Sequence, residues 1–381
     1  MKMAICGGPK GHSTTELLAV DERTMRAADL ERARDPTSPF PQAVVPRIFD
    51  RPGSLIELAL ARARGRVAPP PPWLRRRIAA WQVDGPGPGP ASPSARAGPL
   101  IHAVVGVWDE EDIVYALVEH LHAQGVDRVL VIDDESEDAT AHEAAAAGAE
   151  VLRMPSAGAY SEALRTQRFS DVIAARTEDA GGDVWWLVLD ADDFPRGPDG
   201  TTLRQLVEDA PTWVDVVGAR VLDHVPALSG QYVARRPPLE YFPHARWFRR
   251  AFCPRGHWKH PLMRVRRAGD VVPLPGHHAV GTGDGRRARE HEATLLMHHF
   301  PLRARGRTEA RLRRAMAPGG RYAESPDGFT HGRLRDRLQA LDHLYAGRYE
   351  LVASGFCGDP LLGIEVCDWR ELVGPLERSH A

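Results

Sequence analysis

The sequence predicts an α/β fold in which helices flank a mostly parallel sheet. From about residue 100, short apolar runs alternate with amphipathic segments in units of about 25 to 30 residues, which is the pattern of βαβ connections. Acidic residues follow three of these apolar runs. Because parallel sheets bind ligands at the carboxyl ends of their strands, these acids are the first candidates for a functional site.

Apolar runs and helix signals justify the elements in order. Ile101–Trp108 is a short apolar run of the kind that forms a buried parallel strand. Residues 109–125 follow as a helix, with acids at the start, apolar positions at a helical period and a closing glycine. The same reasoning predicts strands at 127–134, 150–154, 183–194 and 214–222, and helices at 136–147 and 161–178.

Composition excludes several classes of protein. The chain has 381 residues, of which 43% are hydrophobic, so a sizeable core is expected. The formal net charge of −2 argues against a nucleic-acid binder. Four cysteines without a CxxC pair argue against a disulfide scaffold or a thiolate zinc site. No apolar run is long enough for a transmembrane segment, and no signal peptide is evident, so we expect a cytoplasmic protein.

The chain divides into four predicted parts. Residues 1–84 form an amino-terminal appendage of unknown role, and residues 85–99 form a linker with nine Gly or Pro in fifteen positions. Residues 100–305 form the predicted catalytic domain. Residues 306–381 form a helical extension, with arginine-rich amphipathic stretches at 307–316 and 331–347. We expect these stretches to pack on the core with their basic faces solvated; the alternative is that they bind an anionic membrane surface or a partner protein.

The segment LVLDADDF carries the sharpest chemical signal. It delivers Asp190 to the end of an apolar strand, and Asp192 follows after one small residue. Two carboxylates at this spacing can bind one hard divalent cation such as Mg²⁺ or Mn²⁺. The structural alternative is a polar turn in which Asp192 or Asp193 caps the next segment.

Four segments match motifs that occur together in one family. IHAVVGVWDEED resembles an opening strand with an acidic turn, and VLVIDDESEDAT resembles VDDGSTDGT with Glu135 at the glycine and Glu137 at the threonine. LVLDADDF resembles a DxD element in its DADEF form, with Asp193 in place of the glutamate. LLMHHFPLRARG resembles an H-Y-P segment before a helix. Together they resemble family 2 glycosyltransferases, in the branch without membrane spans.

This resemblance implies a GT-A-like, Rossmann-type sheet and roles for individual residues. Asp190 and Asp192 would hold Mn²⁺ or Mg²⁺ on the diphosphate of a nucleotide-sugar. Asp133 or Asp134 would contact the base or ribose. His298, or its neighbour His299, would complete the metal sphere. The nucleotide would be lined by the backbone of Val107, Trp108 and Asp109.

The implied reaction is transfer of a sugar, with inversion, from a nucleoside-diphosphate sugar to a small-molecule, glycan or peptide acceptor. A metal would offset the charge that develops on the leaving diphosphate, and a carboxylate would accept the proton of the acceptor. Three carboxylates are candidates for this base, in the order Asp193, Asp223 and Glu240.

The segment 241–266 mixes aromatic and basic residues that suit a donor or acceptor sugar and a phosphate; the alternative is a pair of strands with an amphipathic outer face. Lys259 is prominent there, since the chain has only three lysines, and we expect it to contact the donor. The adjacent pair His277 and His278 is interpreted as part of a loop.

Two other function classes use the same residues. A metal-dependent hydrolase or nucleotidyltransferase would also employ the acids, and a hydrolase would turn over without an acceptor. A non-catalytic ligand-binding protein would retain its function when Asp190 is replaced by asparagine.

Overall fold

The computed structural model describes residues 98–154, 160–226, 231–246, 258–317, 338, 341–347, 366–368 and 370. The amino-terminal appendage, nearly all of the linker and most of the helix expected at 331–347 lie outside these residues. Within the described part, no helix is long and apolar enough to cross a membrane.

A single large sheet organises the described chain. The strands are β1 (Leu100–Val107), β2 (Arg128–Asp133), β3 (Glu150–Arg153), β4 (Val184–Asp190), β5 (Asp193–Arg196), β6 (Val216–His224), β7 (His244–Arg246), β8 (Trp258–Val265), β11 (Leu295–His299) and β12 (Val366–Asp368). A separate hairpin pairs β9 (Val271–Pro273) with β10 (Val280–Thr282). The helices are α1 (Val114–Ala123), α2 (Thr140–Ala146), α3 (Glu162–Asp179), α4 (Leu203–Asp209) and α5 (Arg305–Met316).

The order of the strands is β12-β7-β6-β8-β4-β1-β2-β3. Strands β4, β1, β2 and β3 are mutually parallel, and β8 is antiparallel to both β4 and β6. Strand β11 is parallel to β6 on one side and antiparallel to β5 on the other. The α/β class with a mostly parallel central sheet is therefore confirmed.

The parallel strands are buried on both faces, which explains their continuous apolar sequence. Successive side chains of β1 alternate between two layers, with Val105 in the layer that includes helix α1 and Val104 in the layer that includes helix α3. Helix α1 buries Leu117 and Leu121 in the first layer, and α3 buries Phe169 in the second. Each parallel strand thus packs against a helical layer on both faces, and this packing fixes the residues at its carboxyl end.

Two expectations about element boundaries were wrong. The helix expected from residue 109 begins at Val114, because the acidic residues before it form a hydrogen-bonded loop in which Asp109 has a φ of 55°. The strand expected at 183–194 is two strands, since the chain turns between Asp190 and Asp193. The carboxyl-terminal extension contains helix α5 and also strand β12, which pairs with β7.

Candidate metal and nucleotide site

The predicted acids meet at one edge of the sheet. Asp190 is the last residue of β4 and lies opposite Gly106 of β1, and Asp133 is the last residue of β2 and lies opposite Val107. Asp109 follows β1 two residues later. The order β4-β1-β2 therefore places all three acidic segments side by side, as the parallel arrangement predicts.

The loops after β1 and β2 are tied to each other by hydrogen bonds. The amide of Asp109 donates to Oγ of Ser136 at 2.9 Å, and Oδ1 of Asp109 accepts from the amide of Glu137 at 3.0 Å. The amide of Glu110 donates to Oγ1 of Thr140 at 2.7 Å. Glu135, which stands where the family motif has glycine, has a φ of 61°, so this turn requires the left-handed backbone that glycine adopts without strain.

Asp133 is the best placed acid for a nucleoside. Its Oδ1 accepts a hydrogen bond from the amide of Ser136 at 3.1 Å, while Oδ2 accepts none from the described residues and has Nε of Arg153 at 3.9 Å. Burial raises the pKa of Asp133 above its usual value. Its neighbour Asp134 forms an ion pair with Arg168 at 3.2 Å. Of these two acids, Asp133 has the acceptor oxygen for an N–H or O–H group of a ligand.

Two cations of the protein hold Asp190. The guanidinium of Arg165, from α3, donates to Oδ1, and Nζ of Lys259, from β8, lies 3.1 Å from Oδ2. Arg165 crosses Gly106 of β1, where an added Cβ would lie 2.8 Å from its Nε, and it stacks 4.9 Å from the ring centroid of Phe169. Although burial opposes the charged form, Arg165 and Lys259 hold the pKa of Asp190 well below its usual value.

Asp193 is completely buried beside the same lysine. Nζ of Lys259 donates to its Oδ2 at 2.5 Å, whereas Oδ1 is buried and accepts no hydrogen bond from the described residues. Burial raises the pKa of Asp193, and the charge of Asp190 adds to this effect against the opposing charge of Lys259. Lys259, which we expect to contact the donor, thus lies next to the acidic turn.

Strand β11 brings a histidine into the cluster. In the register of the sheet, His299 lies opposite Asp193 of β5 and opposite Asp223 of β6. Its Nδ1 donates to Oδ1 of Asp223 at 2.6 Å, and its Nε2 lies 3.5 Å from Oδ2 of Asp192. Burial alone would lower the pKa of His299, but these two carboxylates raise it to about 10.

His298 points to the opposite side of the strand. Its Nδ1 lies 2.8 Å from Nε2 of His224, whose own Nδ1 donates to the carbonyl of Phe242 at 2.5 Å. Of the two histidines named from the sequence, His299 is the one that meets Asp192. Alternation along a strand sends neighbours to opposite faces, so a shift of one residue decides this choice.

Asp192, Asp193 and His299 together could hold a metal ion once His299 has released the proton from Nε2. Each offers one ligand atom, and these atoms all lie within 4.8 Å of one another. Two carboxylates and an imidazole suit Mn²⁺ or Mg²⁺ at a site that also takes phosphate oxygens. The Nδ1 contact with Asp223 directs Nε2 of His299 toward the other ligands, as metal-binding histidines commonly require.

The candidate bases differ in their access to solvent. Asp193 has no exposed surface, whereas 12% of the Asp223 side chain is exposed. Glu240 is exposed in the short turn Pro238–Glu240, and none of the hydrogen bonds or ion pairs described for the cluster includes it.

His277 was not expected at the site. It lies in the turn Pro275–His277, which agrees with the loop interpretation, yet it is only 1% exposed. Its ring centroid is 5.5 Å from that of Phe169, and the negative charge of Asp190 only partly opposes the effect of burial on its pKa. Burial holds the pKa of His277 well below its usual value, so this ring is neutral beside the charged cluster. The only signal in the sequence was the Pro-Gly turn before His277, which predicts a loop but not the burial of this ring beside the cluster.

Helix α5 is fastened over the acidic loops. The expectation of solvated basic faces holds for Arg305, Arg313 and Arg314, which are exposed, and is wrong for Arg307 and Arg311. Nε of Arg303, just before the helix, donates to Oδ2 of Asp112 at 2.8 Å in a buried ion pair. Arg314 lies 2.9 Å from Oδ2 of Asp109 and 5.7 Å from the ring centroid of Trp108. Further ion pairs join Arg307 to Glu111 and Asp138, and Arg311 to Glu110.

Comparisons with known proteins give partial structural similarities. No family model and no curated protein matches the chain. A glucosyl-3-phosphoglycerate synthase from Mycobacterium tuberculosis, in complex with Mn²⁺, UDP and phosphoglyceric acid, is 19% identical over 33% of this chain and 44% of its own, with a TM-score of 0.23. A mannosyl-3-phosphoglycerate synthase from Rubrobacter xylanophilus is 22% identical over 46% of this chain and 51% of its own, with a TM-score of 0.21.

A wider match is to the Mycobacterium tuberculosis enzyme in complex with Mn²⁺, UDP and glucosyl-3-phosphoglycerate. It is 15% identical, and the match covers 66% of this chain and 81% of that one with a TM-score of 0.27. The first two matches span only about half of those proteins, 44% and 51%. At these TM-scores, the similarities assign neither a family nor an activity to the chain.

Proposed function

We propose that the chain is a metal-dependent glycosyltransferase that moves a sugar from a nucleoside-diphosphate sugar to an acceptor with inversion. One observation carries the proposal: Asp192, Asp193 and His299 converge at the same sheet edge as Asp133. The first three suit a cation on a diphosphate, and Asp133 has a buried acceptor oxygen for the nucleoside. The two functions of a nucleotide-sugar site therefore lie at the carboxyl ends of β4 and β2, the two strands that flank β1.

Different residues would bind the metal, the diphosphate and the nucleoside of the donor. Asp192, Asp193 and His299 would hold Mn²⁺ or Mg²⁺, with Asp190 beside them and Asp223 orienting His299. The metal, when bound, offsets the negative charge on the departing diphosphate. The loop from Val107 to Asp109 lines the nucleoside, under the cover of helix α5.

Asp223 is the base that we favour among the three candidates. A general base must reach the proton that it accepts, and Asp223 combines an exposed edge with a position at the cluster. Asp193 would have to leave Lys259 first, and Glu240 makes no described contact with the cluster. Inversion follows when the acceptor attacks the sugar directly, with no covalent intermediate on the protein.

A thermal-shift panel tests the donor site. UDP, GDP, dTDP, CDP and ADP are each added with and without Mn²⁺ or Mg²⁺ to the wild type and to Asp192→Asn. A ligand at about 100 times its Kd stabilises the folded state by about 2.7 kcal/mol. We expect one nucleotide to give a metal-dependent shift that Asp192→Asn removes. UDP is the first to test, because the similar structures named above contain it with Mn²⁺.

The control for this panel is Asp183→Asn, which changes a carboxylate at the other end of β4, where it pairs with Arg264 at 2.7 Å. It should respond like the wild type. A panel without any shift would contradict the proposed donor site. Release of sugar from the selected donor at the same rate with and without acceptors would favour the hydrolase instead, and unchanged ligand binding in Asp192→Asn would favour a metal-free binding protein.

A further inference from the structure

Lys259 occupies the centre of the acidic turn. Its Nζ lies 2.5 Å from Oδ2 of Asp193 and 3.1 Å from Oδ2 of Asp190, and only 10% of its side chain is exposed. The antiparallel register explains this position: Leu262 of β8 lies opposite Leu187 of β4, so Lys259 comes level with Asp190 three residues further along. The ammonium group thus holds two carboxylates of the motif that is expected to bind metal.

The cluster contains more acidic groups than permanent cations before any ligand binds. Four carboxylates, those of Asp190, Asp192, Asp193 and Asp223, face two permanent cations, those of Arg165 and Lys259, and the imidazole of His299 lies between Asp192 and Asp223. A diphosphate alone would increase the negative excess, whereas a divalent metal offsets it. Because uncompensated buried charge is costly, the diphosphate should bind more tightly with the metal than without it.

We propose that Lys259 is an exchanging cation: it compensates Asp190 and Asp193 in the ligand-free protein and transfers to the donor diphosphate when metal binds Asp193. This inference rests on the proposed function. Oδ1 of Asp193, buried and without a hydrogen bond from the described residues, is the oxygen that Lys259 does not contact, and it offers the metal a first ligand. The displaced ammonium group then meets the phosphate oxygens.

The consequence is a coupling between the two ligands. The metal must compete with Lys259 when it binds alone, and it meets no such competition once the diphosphate has attracted the lysine. By linkage, the metal strengthens diphosphate binding by the same factor. Metal and nucleotide should therefore bind weakly alone and strongly together, with an increase of at least about tenfold in each affinity.

The decisive variant is Lys259→Met, which keeps the approximate shape and removes the charge. Binding of Mn²⁺ is measured by electron paramagnetic resonance of the free ion, with and without UDP, or with the nucleotide that the panel selects. Binding of the nucleotide in Mn²⁺ is measured by calorimetry. We expect Lys259→Met to bind Mn²⁺ alone about tenfold more tightly than the wild type, and to bind the nucleotide about tenfold more weakly.

The matched control is Arg264→Met, which removes a cation from the same strand. Arg264 pairs with Asp183 at the far end of β8, and it should leave both affinities unchanged. Lys259→Arg, which keeps the charge, should retain weak binding of Mn²⁺ alone. A merely structural role of Lys259 would weaken both ligands together in Lys259→Met, and that result would overturn the inference.

The wild type alone provides an independent test, which remains available if Lys259→Met does not fold by circular dichroism. Equal Mn²⁺ affinities with and without UDP would contradict the coupling. Failure of the proposed function has a different signature, since the wild type would then bind no nucleotide in the presence of metal. Tight coupling that Lys259→Arg retains, together with the opposite changes in Lys259→Met, would support the exchange.

Discussion

His299 donates a hydrogen bond from Nδ1 to Oδ1 of Asp223 at 2.6 Å, while its Nε2 lies 3.5 Å from Asp192. The imidazole is therefore held between two carboxylates from different strands. The contact with Asp223 fixes the orientation of the ring, and the contact with Asp192 makes the other nitrogen part of the candidate metal site.

Asp223→Asn should weaken metal binding without removing a ligand. Because the amide carries no negative charge, His299 is held less firmly in its orientation and its Nε2 becomes less basic. Loss of such an outer contact typically lowers metal affinity by about 10- to 100-fold. Mn²⁺ titration of the variant in the presence of UDP measures this change. Asp183→Asn serves as the control, and an unchanged Mn²⁺ affinity in Asp223→Asn would show that the pair does not support metal binding.

The stability of the metal-free protein should fall as the pH rises from about 6.5 to about 10. The pKa of His299 is raised from 6.5 to about 10 in the folded state, so its contribution is complete below 6.5 and is lost progressively toward 10. One proton gives a slope of at most about 1.4 kcal/mol per pH unit. Urea unfolding at a series of pH values measures the slope. His299→Gln should be less sensitive to pH over this range, and an equal slope in the variant would assign the effect to other groups.

Asp215→Ala should destabilise the fold without a direct effect on the site. This buried carboxylate, just before β6, pairs with Arg266, Arg286 and Arg289 at 2.5 to 3.0 Å. Its removal leaves three guanidinium groups without their shared anion, and because these groups are partly exposed we expect a loss of about 2 to 3 kcal/mol. Urea unfolding measures the loss. Asp284→Asn, at an exposed partner of Arg286, should show no measurable change.

Gly106→Ala should disturb the position of Arg165. The new Cβ would lie 2.8 Å from both Nε of Arg165 and Cζ of Phe169, so one of these side chains must move. We expect a loss of about 1 to 3 kcal/mol, as for other overpacked interiors, and a smaller nucleotide shift in the thermal panel. Gly306→Ala is the control: its Cβ would meet nothing within 4 Å, and it lies in α5, where alanine is favoured. Equal thermal shifts in both variants would show that Arg165 has no part in nucleotide binding.

The convergence of Asp109, Asp133 and Asp190 could be predicted because it depends only on local signals. Apolar runs identify the strands, alternating helices make the strands parallel, and parallel strands end at one edge. The order of the strands was not needed for this conclusion. The acidic turn was recognised for the same reason, although its division into two strands depends on the pairing of β5 with β11.

The partners of these acids could not be predicted, since they come from distant segments. Lys259, Arg165 and His299 reach the turn through the registers of β8 and β11 and through the packing of α3, none of which has a local signature. The choice between His298 and His299 depends on a single residue of register. The inward pairing of the α5 arginines was missed because an arginine-rich face has the same sequence whether it meets solvent or acidic loops.

The position of β11 has a consequence for the order in which the protein matures. This strand lies between β5 and β6, yet it follows both of them in the chain by about 70 residues or more. During synthesis, Asp192, Asp193 and Asp223 therefore emerge well before the histidine that joins them. Pairing across so long a separation is slow, because the loop must close before its contacts form. A nascent chain that has already formed its parallel core thus still lacks the complete cluster of Asp192, Asp193 and His299, which is assembled only after β11 has been inserted.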